Sequence, residues 1–239
     1  MIQISNLKKR FGKFNVLKNI SLDLKSGQVI ALIGPNGCGK TTLIKSILGM
    51  VIPDDGEILV QGKSISGQWM YRDSIGYMPQ LGRYPENLSV GQIFNMIKDI
   101  RFKHVQIYDE DLYNSFRLDE ILDKKMGDLS GGTRQKVSAQ LAFLFNPHTL
   151  ILDEPTAGLD PLSSEILKDK ILKEKENGKL ILITSHNLNE LDEIVNQIIY
   201  MQEGKIVLNK SLKQLKIDTG KLRLTDAIAQ IMREELEYE

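Results

Sequence analysis

The segment Gly34-Pro35-Asn36-Gly37-Cys38-Gly39-Lys40-Thr41-Thr42 combines three glycines, a lysine and hydroxyls at a spacing suited to holding phosphate. Glycines let backbone N–H groups turn inward at the start of a helix, where unsatisfied donors and the helix dipole favour an anion. Lys40 then supplies a point charge to β and γ phosphates, and Thr41 a hydroxyl ligand for magnesium. Farther along, Asp153 and Glu154 follow the run Thr149 to Leu152. Asp153 suits magnesium, held through water, and Glu154 is placed to take a proton from an attacking water. That pairing favours hydrolysis over a passive nucleotide switch. Cys38 occupies a variable position of the loop and reads as a small tolerated residue rather than a nucleophile, since no neighbouring base is evident.

These groups need a scaffold that ends buried strands beside helix starts. Gln28 to Ile33, Leu150 to Leu152 and Leu180 to Thr184 are short continuous apolar runs, as expected of parallel strands covered by helices on both faces. Carboxylates at the carboxyl end of such a strand stand where open α/β sheets bind ligands. Ile2 and Ile4, then Ile20, Leu22 and Leu24, alternate with polar residues and predict antiparallel edge strands. A helix is expected over Thr41 to Leu48, closed by Gly49, and another after Asp160 as N-cap with Pro161 at the first helical position. The predicted architecture is α/β: a P-loop NTPase core with a parallel sheet, an N-terminal antiparallel β subdomain and an inserted helical lobe at about 81–140. Ser89 and Gln92 form a capping-box pattern in that lobe. The tail, 211–239, carries Ile228, Ile231, Met232 and Leu236 at helical intervals, with Thr225 as its cap, and is expected to rest on its own domain.

Composition narrows the function classes. The chain has 239 residues, 31 basic and 31 acidic side chains, 41% hydrophobic residues, one cysteine and three histidines. The histidines and the cysteine cannot build a Cys/His zinc site, and one cysteine suits a reducing compartment. Balanced charge gives no general electrostatic reason to bind nucleic acid. Apolar runs such as Val29–Ile33 reach about five residues, against roughly 18 for a membrane span. The N-terminal stretch lacks the apolar core of a secretion signal, so a cytoplasmic location is expected, peripheral at the inner face of the cell membrane if a membrane partner exists. His104 and His148 read as surface residues, and Trp69 as a ring covering the rim of its own domain, with a subunit contact as the other reading.

Leu129-Ser130-Gly131-Gly132-Thr133, followed by Arg134-Gln135-Lys136, resembles the signature of ATP-binding cassette ATPases. The order of motifs strengthens the likeness: the loop at Gly34, Gln80 after a short strand, the signature, the run Asp153 to Asp160, and His186 after Thr184-Ser185. The resemblance covers nearly all of residues 1–210 and implies an ATPase domain of that extent using ATP and Mg2+. It implies that Gln80 links magnesium and the attacking water to the helical lobe, that His186 contacts the γ phosphate, and that Asp160 belongs to the loop preceding its helix. Phe11 sits where the family places an aromatic ring against adenine; tyrosine is commoner there, and core packing is the other reading. Thr133 departs from the commoner glutamine of the signature.

The family pattern also implies partners. Ser130, Gly131 and Gly132 would face the γ phosphate held by a second subunit, giving an ATP-dependent, head-to-tail homodimer. The short span between Gln80 and Leu129 suits a compact lobe that receives an integral membrane permease subunit, whereas soluble relatives acting on ribosomes or DNA usually carry a coiled coil or a second cassette. The stretches 75–88, 129–137 and 145–167 further resemble the ATPase subunit of the copper-processing system serving nitrous oxide reductase maturation. An exporter of a drug, lipid or polysaccharide is the alternative. Copper would have to be handled by partners, since soft ligands are scarce here.

Overall fold

The computed structural model describes residues 1–101 and 108–237, without the side chains of 234–237. His104 and the side chain of Leu236 therefore lie outside the described residues. The chain forms two compact units, Met1–Arg72 with Leu180–Glu239, and Asp73–Lys179. The first stretch contributes β1 (Ile2–Phe11), β2 (Phe14–Leu24), β3 (Val29–Ile33), α1 (Lys40–Ile47), β4 (Asp55–Val60) and β5 (Lys63–Ser64). The second unit holds β6 (Ile75–Met78), α2 (Val90–Arg101), α3 (Asp111–Ser115), α4 (Gly131–Phe143), β7 (Thr149–Asp153) and α5 (Pro161–Glu176). The chain then returns to the first unit with β8 (Leu180–Thr184), α6 (Leu188–Ile194), β9 (Gln197–Gln202), β10 (Lys205–Ser211), α7 (Leu212–Thr219) and α8 (Leu224–Glu237). Among the described residues no helix is long and apolar enough to cross a membrane.

In the first unit the alternating segments become an antiparallel sheet, ordered β2-β1-β4-β5. Ile2 lies opposite Leu24, Ile4 opposite Leu22 and Leu7 opposite Ile20, and all six side chains are buried on one face. The run Val29–Ile33 is buried at every position, and β3 is flanked on both edges by parallel strands, β8 and β9. β10 adds to β9 in the antiparallel sense. Strand β3 therefore delivers the glycine loop straight into α1, which buries Leu43, Ile44 and Ile47. The tail helix α8 packs Leu224, Ala227 and Ile228 against its own unit, beside α6 and α7.

Two expectations about this unit need correction. Thr225 is not the cap of α8: the helix begins at Leu224, whose side chain is fully buried and whose N–H is accepted by Asp192 Oδ2 at 3.3 Å, while the Thr225 hydroxyl bonds Asn189 Oδ1 at 2.9 Å. Trp69 leaves most of its ring uncovered, 64% exposed, directly ahead of a short 3-10 segment, Met70–Ser74.

The second unit pairs β6 with β7 in parallel, Ile75 opposite Thr149 and Met78 opposite Leu152. Helix α4 crosses β6 so closely that a Cβ on Gly76 would sit 2.0 Å from the Ala142 carbonyl oxygen. The capping box opens α2 as its residues predict: Ser89 N–H donates to Gln92 Oε1 at 2.9 Å, and Gln92 N–H to Ser89 Oγ at 3.2 Å. Val90, Ile93, Phe94, Leu118, Met126, Leu129 and Val137 then form the core that joins the lobe to α4.

A buried ion cluster ties α3 to α5. Lys170 Nζ reaches Asp109 at 2.5 Å, Asp111 at 2.8 Å and Glu174 at 2.7 Å, and Lys179 bonds Glu174 from the other side at 2.5 Å. Hydrogen bonds from Lys170, then Lys173, lower the Asp111 carboxyl to about 2. Burial alone would raise Glu174, but bonds from Lys170 and Lys179 bring it below its ordinary value. Because folding depresses these carboxyls, their stabilising effect is complete above the unfolded value of 3.8 for Asp111 and disappears as pH falls toward about 2. The urea midpoint of the full chain should therefore drop between about pH 4 and about pH 2, and Asp111→Asn should flatten that drop. Lys170→Met, which strands buried carboxylates, should cost about 3 kcal/mol in urea unfolding at neutral pH.

Candidate active site

The glycine loop is shaped by what surrounds it. Gly34, Gly37 and Gly39 adopt φ values of 151°, 80° and 112°, a region L side chains rarely enter. Space is denied as well: a Cβ on Gly34 would lie 2.0 Å from the Met201 carbonyl oxygen, and one on Gly39 would lie 2.8 Å from the Val16 carbonyl oxygen. Gly204 N–H donates to the Cys38 carbonyl at 3.0 Å and the Gly204 carbonyl accepts from Lys18 N–H at 2.7 Å, bracing the loop between β2 and the β9–β10 turn. Lys40 Nζ donates to the Gly34 and Pro35 carbonyls at 2.7 and 3.1 Å, which holds its charge over the loop. Pro35, Asn36 and Gly37 are exposed at the rim, Thr41 is exposed on the first turn of α1, and Thr42 is half-buried. Cys38 is buried, and its Sγ would lie 2.9 Å from a Cβ on Gly34.

The same unit carries Phe11 and His186. Phe11 ends β1 at 47% exposure, so it is not a core residue, and Lys9 Nζ lies 5.3 Å from its ring centroid. Across the Gly12-Lys13 turn it pairs with Phe14, 77% exposed, a second uncovered ring that alternation alone did not single out. His186 is exposed between β8 and α6. It does not cap α6: Asn187 stands at that position, its N–H donating to Ser185 Oγ and its amide to Glu190 Oε1.

The second unit carries the acidic and signature residues. Gln80 is exposed, two residues beyond β6. Asp153 is the last residue of β7 and nearly buried. Burial, and then the charge of Asp153, raise the Tyr77 phenol above its ordinary value. Glu154 follows with φ +54°, a left-handed conformation uncommon for a glutamate. Asp160 caps α5 through Ser163 N–H at 2.9 Å and also pairs with Lys136 Nζ at 2.9 Å. Lys136, then Ser163, hold its carboxyl far below the usual range.

Ser130 caps α4, accepting Thr133 N–H at 3.2 Å, and its hydroxyl lies 2.8 Å from the Thr133 hydroxyl. The threonine that departs from the family pattern thus engages the serine directly. Gly131 faces open space, while a Cβ on Gly132 would lie 2.5 Å from the Gly158 carbonyl oxygen. Gln135 and Lys136, not singled out from sequence, both reach the segment 154–160. Their partners are 19 and 24 positions away, and no local pattern marks them.

Comparison with known proteins identifies the family. The family described as ABC transporter matches residues 17–157. The lantibiotic transport ATP-binding protein SrtF of Streptococcus pyogenes is 34% identical, over 88% of this chain and 90% of the relative. The uncharacterized ABC transporter ATP-binding protein YhaQ of Bacillus subtilis is 32% identical, over 94% of this chain and 76% of its own length. A solved ATP binding subunit of an ABC transporter superposes with TM-score 0.87 at 26% identity, covering 97% of this chain and 99% of that one.

The loop geometry can be checked apart from any activity. Gly34→Ala should cost more than about 2 kcal/mol, a fall of roughly 4–8 °C in Tm by calorimetry, because it meets both a forbidden φ and the Met201 carbonyl. Gly37→Ala, with no atom within 4 Å of the added Cβ, should cost only the left-handed strain of about 1 kcal/mol.

Proposed function

Since the chain belongs to the ABC transporter family through its ATP-binding domain, we propose that it is the ATP-hydrolysing motor of a transporter, working as a head-to-tail homodimer against a separate membrane permease at the cytoplasmic face. Its domain is an ABC ATPase, and ATP is its substrate. The observations that carry the mechanism are made in each unit by itself: a glycine loop closed by Lys40 in the first, and in the second a carboxylate, Glu154, directly after a buried strand.

In this reading the N–H groups of Gly37 to Thr42 and the Lys40 ammonium hold the β and γ phosphates, with Gly34, Pro35 and Asn36 forming the loop's entry. Phe11 stacks on the adenine, and Phe14 beside it extends the same apolar face. Glu154 accepts a proton from water as that water's oxygen bonds the γ phosphorus and the bond to the ADP oxygen breaks. His186 and Gln80 orient the γ phosphate and the water. The Thr41 hydroxyl, the Asp153 carboxylate and the Gln80 amide oxygen are hard oxygen donors, the ligand class that fits Mg2+. When bound there the ion supplies positive charge to the phosphate oxygens. Ser130, Gly131 and Gly132 open α4 at an N-terminus that would seal the γ phosphate of the partner copy, with Asp160 close by on the same unit.

For cargo, the names of the relatives run in both directions: Nod factor export in Rhizobium and lipopolysaccharide export in Haemophilus influenzae stand beside sulfate/thiosulfate import in Pseudomonas syringae, and an exporter of a drug, lipid or polysaccharide is one reading. The copper-processing reading rests on the stretches 75–88, 129–137 and 145–167. Cys38 is buried in the loop, so Cu(I) ligation would belong to partner proteins. A strain lacking this chain that still loads copper into nitrous oxide reductase would remove that reading, and identification of the co-purifying permease would decide among exporters.

Glu154→Gln should lower kcat for ATP by about 100-fold or more while leaving ATP binding intact, and should trap an ATP-dependent dimer detectable by light scattering. A chain that stays monomeric with ATP in that variant would contradict the homodimer.

A further inference from the structure

We infer that Gln135 is a positioning residue for Glu154, the side chain through which the helix start bearing Ser130 to Gly132 holds the base of its own subunit; this rests on the ATPase reading above. Gln135 is 5% exposed, in the second turn of α4. Its Nε2 donates to the Glu154 carbonyl at 3.1 Å and reaches the Pro155 carbonyl at 3.5 Å, so one amide spans two consecutive main-chain oxygens. Glu154 needs such a hold because its φ of +54° is strained for a residue with a side chain, and such a conformation persists only where surrounding contacts over-determine it. Its carbonyl accepts a second bond, from Ala157 N–H at 3.2 Å. Rotation of Glu154 toward relaxed backbone angles would swing that carbonyl out of both bonds and re-aim the carboxylate.

The clamp is not a single contact. Gly132, Gln135 and Lys136 fall at i, i+3 and i+4, on one face of α4. Gly132 lies against the Gly158 carbonyl, Gln135 against Glu154 and Pro155, and Lys136 against Asp160. One helix face thereby holds the whole turn from 154 to 160. In the proposed dimer the start of α4 touches a phosphate belonging to the partner copy, so a shift of that helix as the partner's nucleotide binds or leaves is carried by the Gln135 amide to the base of the other site.

The test uses the full-length chain, with Gln135→Met as a shape-conserving variant that lacks both donors. Its kcat should fall by about 10- to 100-fold, with KM for ATP within about two-fold of the parent. The double variant Gln135→Met/Glu154→Gln should still form the ATP-dependent dimer as Glu154→Gln does, since the lost function lies in the base and not in the phosphate contacts. A cooperatively melting Gln135→Met protein with parental kcat, or one whose loss appears in KM or in failed dimerisation, overturns the inference. Should Gln135→Met fail to fold, Gln135→Asn, one methylene short of both carbonyls, is read by the same two measurements. If the parent does not hydrolyse ATP, or Glu154→Gln hydrolyses it at the parental rate, the ATPase reading fails first and independently of Gln135.

Discussion

Main-chain amides can be aimed at an anion only where the backbone leaves the conformations that side chains allow, and in this chain the need is enforced from outside as well as within. The carbonyls of Val16 and Met201 press against the positions of Gly39 and Gly34 more closely than a Cβ would permit. Strands β2 and β9 are therefore part of the phosphate loop, although neither contributes a residue that family motifs would mark. The Gly204 bonds to Cys38 and Lys18 extend the same bracing, so the loop is held by a rigid sheet while its donors face outward. Preorganisation of this kind spares the ligand the cost of ordering the loop.

The second unit solves a different problem, that of presenting carboxylates at a strand end without letting them drift. Asp153 is held by β7 itself, buried where the sheet ends. Asp160 is fixed by capping α5 and by Lys136. Glu154 alone lies in the turn between, with an unfavourable φ, and it is there that α4 supplies a buried amide. Polar burial at Gln135 is tolerated because its donors are satisfied, as buried amides must be.

Features set by neighbours in sequence were legible before any coordinates. The Asp160-Pro161 start, the Ser89/Gln92 box, the alternating β1 and β2 and the continuous runs of β3, β7 and β8 all depend on residues a few positions apart. What was not legible depends on distant partners. The start of α8 moves off Thr225 because Leu224 is drawn into the core and Asp192 accepts its N–H. Phe14 looks like core by type, yet sits uncovered at a hairpin end. Trp69 was assigned cover on the general habit of indoles, which no local signal could refine. Gln135 and Lys136 were visible only as companions of a signature, since the carbonyls and carboxylate they meet are brought to them by the fold. Lys170 likewise looks like one of many exposed helical lysines until α3 places Asp109 and Asp111 against it.

The left-handed turn at Glu154 has a further corollary for protein engineering. Glycine would occupy that angle without penalty, so a selection for heat resistance alone would favour erasing the side chain on which turnover is proposed to depend. Durability and chemistry pull in opposite directions at this one residue, the kind of trade that strained functional positions impose. A stabilised scaffold built from this sequence would have to seek its gains elsewhere and keep the strained glutamate intact.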